Sequence, residues 1–175
     1  VVQGATLVAF TLTAANMVLA PYIAQLYAAG DNTRLQHMVT RGAQVILLTA
    51  LPVAGTFIFF GEPILASVFG DAYRAGAAAL AILCLGQLVN AGAGSVGLIL
   101  NMTGHERDTA VGVAAAAAAN LILNLILIPR FGIEGAAVAT AVSLATWNVL
   151  LCRRVYRRVG IRSAAFHFSP VTERQ

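Results

Sequence analysis

The stretch GQLVNAGAGSVGLILNMTG, residues 86–104, is hydrophobic but carries glycine and amide residues where a plain membrane anchor would carry leucine. On a helix with about 100° per residue, these glycine and amide residues share one arc of about 100°. They are Gly86, Gln87, Asn90, Gly94, Gly97, Asn101 and Gly104. The opposite side holds Leu85, Leu88, Val89, Val96, Ile99 and Leu100. This pattern predicts one face against another helix or a wet cavity, and one face against lipid.

The composition of the whole chain predicts an all-α integral membrane protein. Hydrophobic residues make up 59% of the sequence and charged residues 10%, with a mean hydropathy of +0.81, which is far from the composition of a soluble domain. Apolar segments about as long as the roughly 20 residues that cross a bilayer predict about five transmembrane helices. They cover residues 4–29, 42–60, 75–102, 109–128 and 135–152. We expect residues 1–160 to form one membrane helix bundle and residues 161–175 a cytoplasmic tail.

The arginine distribution predicts the orientation of these helices. All basic residues are arginine, and the loops on one side together with the C-terminal tail carry most of them. That side has Arg34, Arg41, Arg107, Arg153, Arg154, Arg157, Arg158, Arg162 and Arg174, whereas the other side has Arg74 and Arg130. By the positive-inside rule, the first side and the C-terminus are cytoplasmic. The same asymmetry accounts for the net charge of +4 without a nucleic-acid partner.

Amide side chains are the main candidates for a substrate path, because the five predicted spans contain no Asp, Glu or Arg. We expect Gln87, Asn90 and Asn101 of the third span to line a cavity, with Asn16 and Asn120 as further candidates. Asn120 belongs to a stripe of small and amide residues on the fourth span, and such a stripe also suits packing between helices. The third span is the longest, at roughly 42 Å for a bilayer core of about 30 Å, and must tilt, bend or protrude.

The residues with catalytic or metal-binding chemistry are scattered. Cys84 and Cys152 are predicted to be free thiols, because neither belongs to a CxxC or His/Cys metal spacing. The acidic residues and the histidines lie in separate turns on opposite sides of the predicted bundle. We therefore expect no catalytic residues, no metal and no cofactor, and predict that the chain is not an enzyme.

Several longer motifs carry a resemblance to a known family. They are PYIAQLYAAGD at 21–31, LPVAG at 51–55, FGEPILASVFGDAY at 60–73, LGQLVNAGAGSVGLILNMTGHER at 85–107 and NLILNLILIPRFGIEGAAVATAVS at 120–143. In this order and spacing they resemble the C-terminal part of bacterial lipid-linked oligosaccharide flippases. Those flippases belong to the multidrug, oligosaccharidyl-lipid and polysaccharide exporter superfamily. The resemblance covers the chain from about Pro21 to Arg158.

The resemblance implies two helix bundles around a central cavity that opens alternately to the two membrane faces. This chain, which begins VVQGAT, would be a fragment that forms most of the second bundle, and its partner would be the missing N-terminal bundle. The implied activity is transport of an oligosaccharide linked to polyprenyl diphosphate across the bacterial cytoplasmic membrane, for surface polysaccharide such as O-antigen, lipopolysaccharide or exopolysaccharide. The implied partners are this lipid-linked oligosaccharide and membrane lipids.

Arg41 is the cation nearest to a predicted span, and we expect it to contact a phosphate at the inner mouth of the cavity. Plain anchoring of the topology by Arg41 is an open alternative. Two further functions also stay open: a multidrug or cation antiporter of the same superfamily, and a membrane scaffold that transports nothing. The antiporter would need an intramembrane carboxylate, and the five spans contain none.

Overall fold

The computed structural model describes the backbone of residues 2–165 and the side chains of residues 13–165. Residues 166–175 of the predicted tail, which include His167 and Arg174, lie outside the described residues. The elements are α1 (Val2–Ala28), α2 (Asn32–Phe69), a 3₁₀ helix (Asp71–Gly76), α3 (Ala77–Ala93), α4 (Val96–Met102) and α5 (Glu106–Val159). Every regular element of residues 2–165 is helical, so the predicted all-α fold class is confirmed.

Helix α2 is longer than the sequence pattern predicted. The carboxylate of Asp31 caps it by accepting a hydrogen bond of 3.0 Å from the backbone N–H of Arg34. Residues 32–41, which precede the predicted span 42–60, are the first turns of α2 itself. The helix kinks at Phe60, where φ is −117° and ψ is 17°, three residues before Pro63. Proline removes a backbone donor and crowds the preceding turn, which explains a kink at this place.

The stretch 86–104 is not one helix, and the prediction of a continuous polar stripe along it was wrong. Helix α3 ends at Ala93 and α4 begins at Val96. Between them, Gly94 has φ +74° and ψ −161°, a conformation that side chains with a Cβ atom rarely adopt. The neighbours of Gly94 also favour glycine at this position. A Cβ atom there would lie 2.9 Å from both the Cβ atom of Ala43 and the backbone oxygen of Ser163.

The break between α3 and α4 changes which residues are buried. On α3, Leu85 and Val89 are exposed, as predicted for a lipid-facing side. On α4, the residues predicted to face lipid are instead in the core with at most 2% of their surface exposed: Val96, Ile99 and Leu100. Two residues without helical geometry separate α3 from α4, so the 100° periodicity does not carry across the break.

Helix α5 is a hairpin of two limbs, residues 106–131 and residues 133–159. The chain reverses at Gly132, where φ is 55° and ψ is −129°. The limbs pack closely: a Cβ atom at Gly135 would lie 2.5 Å from the backbone oxygen of Leu127, and one at Gly112 would lie 2.8 Å from Cδ2 of Leu151. The last two predicted spans thus lie in the two limbs.

By length and hydropathy, three helical runs of the described residues can cross a membrane: α2, the run Asp71–Ala93 and α5. A first core cluster, which includes Leu35, Val39, Ile99 and Val155, joins the start of α2 to α4 and to the end of α5. We call this end of the bundle the basic end, because most of the arginines lie there. A second cluster, around Ile46, Leu80 and Cys84, joins α2 to α3.

Candidate functional site

Three amide side chains form a cluster where α3 packs against the second limb of α5. Asn148 donates from Nδ2 to Oδ1 of Asn90 over 3.1 Å, and Asn90 donates from Nδ2 to Oε1 of Gln87 over 3.3 Å. The helices come close here because Gly86 lacks a side chain; a Cβ atom there would lie 3.0 Å from Ala141. We call Gln87, Asn90 and Asn148 the amide cluster. It is neutral, and each member can both donate and accept hydrogen bonds.

Asn148 was missed by the sequence analysis, although it is the most buried member of the amide cluster. Only 2% of its surface is exposed, and its Nδ2 also donates to the backbone oxygen of Leu144 over 2.9 Å. Its Oδ1 has no hydrogen-bond partner among the described residues. An amide inside an apolar span is itself a signal, because buried polar groups in membranes are costly and need a reason.

A second polar contact lies at the break between α3 and α4. Ser95, which is buried, donates from its hydroxyl to Oδ1 of Asn16 on α1. Asn16, one of the predicted site residues, is therefore in direct contact with the break. Polar groups therefore lie before the break and within it: Asn90 of the amide cluster lies about one turn before the break, and Ser95 within the break bonds to Asn16.

The other predicted site residues do not join these contacts. Arg41 is exposed on α2, and Asn101 is exposed on α4. Asn120 accepts a hydrogen bond of 2.8 Å at Oδ1 from Nδ2 of Asn124, within its own limb of α5. Asn90 of the third predicted span instead pairs with the fifth predicted span, through Asn148. Of the six predicted residues, the structure brings Gln87 and Asn90 into direct contact.

Charged contacts gather at the basic end. Asp108, in the first turn of α5, pairs with Arg154 over 2.7 Å and with Arg158 over 3.0 Å near the end of the same helix.

Both cysteines are free, as predicted. Within residues 2–165, no group of three His, Cys, Asp or Glu side chains is arranged to hold a metal ion. The buried polar side chains of residues 13–165 are uncharged, and neutral amides suit a ligand rich in hydroxyl groups.

The fold and the hydropathy define a multi-pass, all-α membrane protein, and the comparisons with known proteins agree with this class. The chain is 27% identical over 176 residues to the probable low-salt glycan biosynthesis flippase Agl15 of Haloferax volcanii, covering 96% of this chain and 37% of that protein. It is 29% identical over 157 residues to the probable flippase AglR of the same organism, covering 84% of this chain and 31% of that protein.

A third relative is the uncharacterized membrane protein MJ1068 of Methanocaldococcus jannaschii, which is 32% identical over 124 residues, covering 70% of this chain and 24% of that protein. No family model matches the chain. The chain thus spans between about a quarter and two fifths of the length of these relatives. It is similar to membrane proteins of which two are named as flippases.

Proposed function

We propose that this chain is part of a transporter that moves a lipid-linked oligosaccharide across a membrane for glycan biosynthesis, and that it is not an enzyme. The support from the comparisons is the similarity to two flippase-named proteins, one of which is named for glycan biosynthesis. The cargo we propose is an oligosaccharide on a polyprenyl diphosphate, as the motifs of residues 21–158 imply. The multidrug, oligosaccharidyl-lipid and polysaccharide exporter superfamily is the proposed wider family.

The structural observation that carries this proposal is the break between α3 and α4, with hydrogen-bonding side chains before it and within it. Transporters often bind their cargo at discontinuous helices, where irregular backbone and polar groups are tolerated because they line a cavity. Gln87 and Asn90 lie within two turns of this break, and Ser95 lies in it. We propose that Gln87 and Asn90 bind sugar hydroxyl groups during transport, and that Asn16 supports the same path.

The setting that we propose is a two-bundle protein in the bacterial cytoplasmic membrane. This chain forms most of one bundle, a further bundle of the same protein completes the cavity, and membrane lipids surround both. The greater length of the relatives supports a larger assembly. In the proposed orientation, the basic end faces the cytoplasm, since loops rich in arginine stay on that side. The destination of the cargo is surface polysaccharide.

Arg41 has a separate proposed role at the basic end, where it is exposed. A guanidinium binds phosphate oxygens through two parallel hydrogen bonds, so we propose that Arg41 meets the diphosphate of the cargo. Arg41→Gln in the full-length protein should lower the transport rate and leave the topology unchanged. Normal transport by this variant would remove Arg41 from the path.

The test of the proposed function is transport by the full-length protein in proteoliposomes that contain lipid-linked oligosaccharide. The wild-type protein should carry the glycan to the opposite leaflet, where an added glycosidase or lectin detects it. Gln87→Leu combined with Asn90→Leu should reduce this rate while the protein still elutes as one species in detergent. The matched control is Val89→Leu, because Val89 lies between the two on α3 but is exposed. A wild-type protein that carries no glycan would leave a scaffold as the better description.

A further inference from the structure

After α5 ends, residues 160–165 run back along the bundle as an extended segment, which we call the strap. Gly160, with φ +75°, ends the helix and reverses the chain. Alternate side chains of the strap are then buried: Ile161, Ser163 and Ala165 have at most 4% of their surface exposed, whereas Arg162 is exposed. This period of two is typical of an extended strand-like segment with one buried side. The strap lies outside the regular helices, yet it is part of the core.

Polar side chains of α2 hold the strap through its backbone. Gln36 accepts a hydrogen bond of 2.7 Å from the N–H of Arg162 and donates from its own Nε2 to the backbone oxygen of the same residue. Gln44, two turns further along α2, donates to the backbone oxygen of Ala165 over 3.3 Å. Because residues spaced by four share one face of a helix, Gln36, Thr40 and Gln44 form a polar stripe under the strap.

The other side of the strap meets the break between α3 and α4. The N–H of Ala165 donates to the backbone oxygen of Gly92 over 2.9 Å. At Gly94 the fit is so close that a Cβ atom would lie 2.9 Å from the backbone oxygen of Ser163. The strap therefore connects α2 directly to the break that the proposed function places at the cargo path.

The chemistry of these contacts favours release over permanent burial. The strap contributes one large apolar side chain, Ile161, and its other buried side chains are small. Ile161 joins the first core cluster, and the backbone of the strap is held by hydrogen bonds to the amides of Gln36 and Gln44 and to the backbone oxygen of Gly92. Water can replace such bonds, so the polar stripe of α2 would remain satisfied in a hydrated cavity after the strap leaves. A permanent seal inside a membrane would instead be expected to use apolar side chains.

We propose that residues 160–165 are a releasable lock, which holds α2 against the α3–α4 break in the resting bundle and leaves this groove during each transport cycle. The proposal rests on the proposed transport function and adds a regulatory step to it. While the strap is in place, α2 and the break cannot separate, because Gln36, Gln44 and Gly92 all bind the same six residues. Release frees both elements to move and exposes their hydrogen-bonding groups.

A disulfide tests the lock. Sγ of Cys152 lies 3.7 Å from Oγ of Ser163, so Ser163→Cys in the full-length protein places two thiols in contact. Copper phenanthroline with oxygen takes two electrons and two protons from them and forms the S–S bond, which dithiothreitol reverses. Transport in proteoliposomes should fall in proportion to the crosslinked fraction measured by mass spectrometry, and should recover after reduction. The matched control, Ser163→Cys with Cys152→Ser, should transport equally with and without oxidant.

A thiol-labelling experiment detects release of the strap without a measurement of transport. In the control variant with Cys152→Ser, the thiol at position 163 is buried while the strap is bound and reacts with a maleimide only after release. Adding lipid-linked oligosaccharide should increase its labelling rate. Gln36→Ala should increase it even without cargo, whereas Gln25→Ala, a change at an exposed glutamine of α1, should not. Arg157→Cys, at an exposed position of α5, gives the rate of a free thiol.

The outcomes separate the two proposals. Unchanged transport by a fully crosslinked protein would overturn the lock while leaving the proposed function intact. A thiol at position 163 that stays unlabelled with cargo and with Gln36→Ala, while the thiol at position 157 reacts, would also overturn it. A reduced protein that carries no glycan would contradict the proposed function instead, and the labelling rates would then still report whether the strap leaves its groove.

Discussion

Asn148 on the second limb of α5 donates a hydrogen bond of 3.1 Å to Asn90 on α3, across 58 positions of the chain. This contact sets which face of α3 meets α5. It also gives Asn90 a partner inside the bundle, so the side chain is satisfied in the resting structure. A path along Asn90 therefore requires that a ligand compete with Asn148 or use the remaining capacity of the amide cluster.

Replacing Asn148 by leucine separates packing from transport. An interhelical hydrogen bond in a membrane contributes about 0.6 kcal/mol on average and seldom more than about 2 kcal/mol. Asn148→Leu should therefore lower the free energy of unfolding in detergent only slightly, because Leu has the same number and branching of side-chain heavy atoms and the unpartnered Oδ1 disappears. Transport should fall strongly, since Asn90 loses the donor that orients it. Val149→Leu, an exposed neighbour, is the control. Transport at the wild-type rate would assign Asn148 to packing alone.

The ion pairs of Asp108 should stabilise the basic end of the α5 hairpin. The side chain of Asp108 is 18% exposed and contacts both Arg154 and Arg158. Hydrogen bonds to charged groups that are partly buried contribute more than exposed pairs, so Asp108→Asn should cost about 1–2 kcal/mol of unfolding free energy. Thermal unfolding in detergent at low and high salt measures this change.

Asp71→Asn is the matched control for Asp108. Its ion pair with Arg74 spans 2.9 Å, but the side chain of Asp71 is 85% exposed. Solvent screens such a pair, and its loss should cost less than about 1 kcal/mol. Equal changes in the unfolding free energy for the two substitutions would show that the pairs of Asp108 stabilise the hairpin no more than an exposed pair does.

The reversal of α5 depends on the missing side chain at Gly135. A Cβ atom there would meet the backbone of Leu127, which cannot move aside as a flexible side chain can. Gly135→Ala should therefore destabilise the protein by roughly 1–3 kcal/mol, the usual cost of overpacking. Gly55→Ala on α2 is the control, because no atom lies within 4 Å of its added methyl group. It should stabilise by up to about 1 kcal/mol. Thermal unfolding of both variants in detergent measures these opposite changes in stability.

The orientation of the bundle can be tested by cysteine labelling in a background with Cys84 and Cys152 replaced by serine. Glu106→Cys, at the exposed start of α5, should react with an impermeant maleimide only after the cytoplasmic side is opened. Ala72→Cys, in the exposed 3₁₀ helix, should react from outside in intact right-side-out vesicles. The reverse pattern would place the basic end outside the cell.

The architecture of α5 was largely visible in the sequence, whereas that of the stretch 86–104 was not. The two apolar runs around Gly132 are each long enough to cross a bilayer, so hydropathy alone predicted two antiparallel limbs. In the stretch 86–104, glycine at position 94 fits a helix as well as a break. In the structure, Ala43 and Ser163 come from distant parts of the chain and leave no room for a Cβ atom at position 94, which suits the glycine in the break.

The sequence by itself determined the all-α membrane class, because the burial of apolar segments in lipid depends on composition and length, which are local properties. Only the tertiary structure decided that α3 breaks at Gly94, that Asn90 pairs with Asn148 and that residues 160–165 bind along α2. The two polar contacts depend on which groups meet within about 3 Å, and the break depends on the neighbours that crowd position 94. That is a property of packing between elements, and neither hydropathy nor periodicity encodes it.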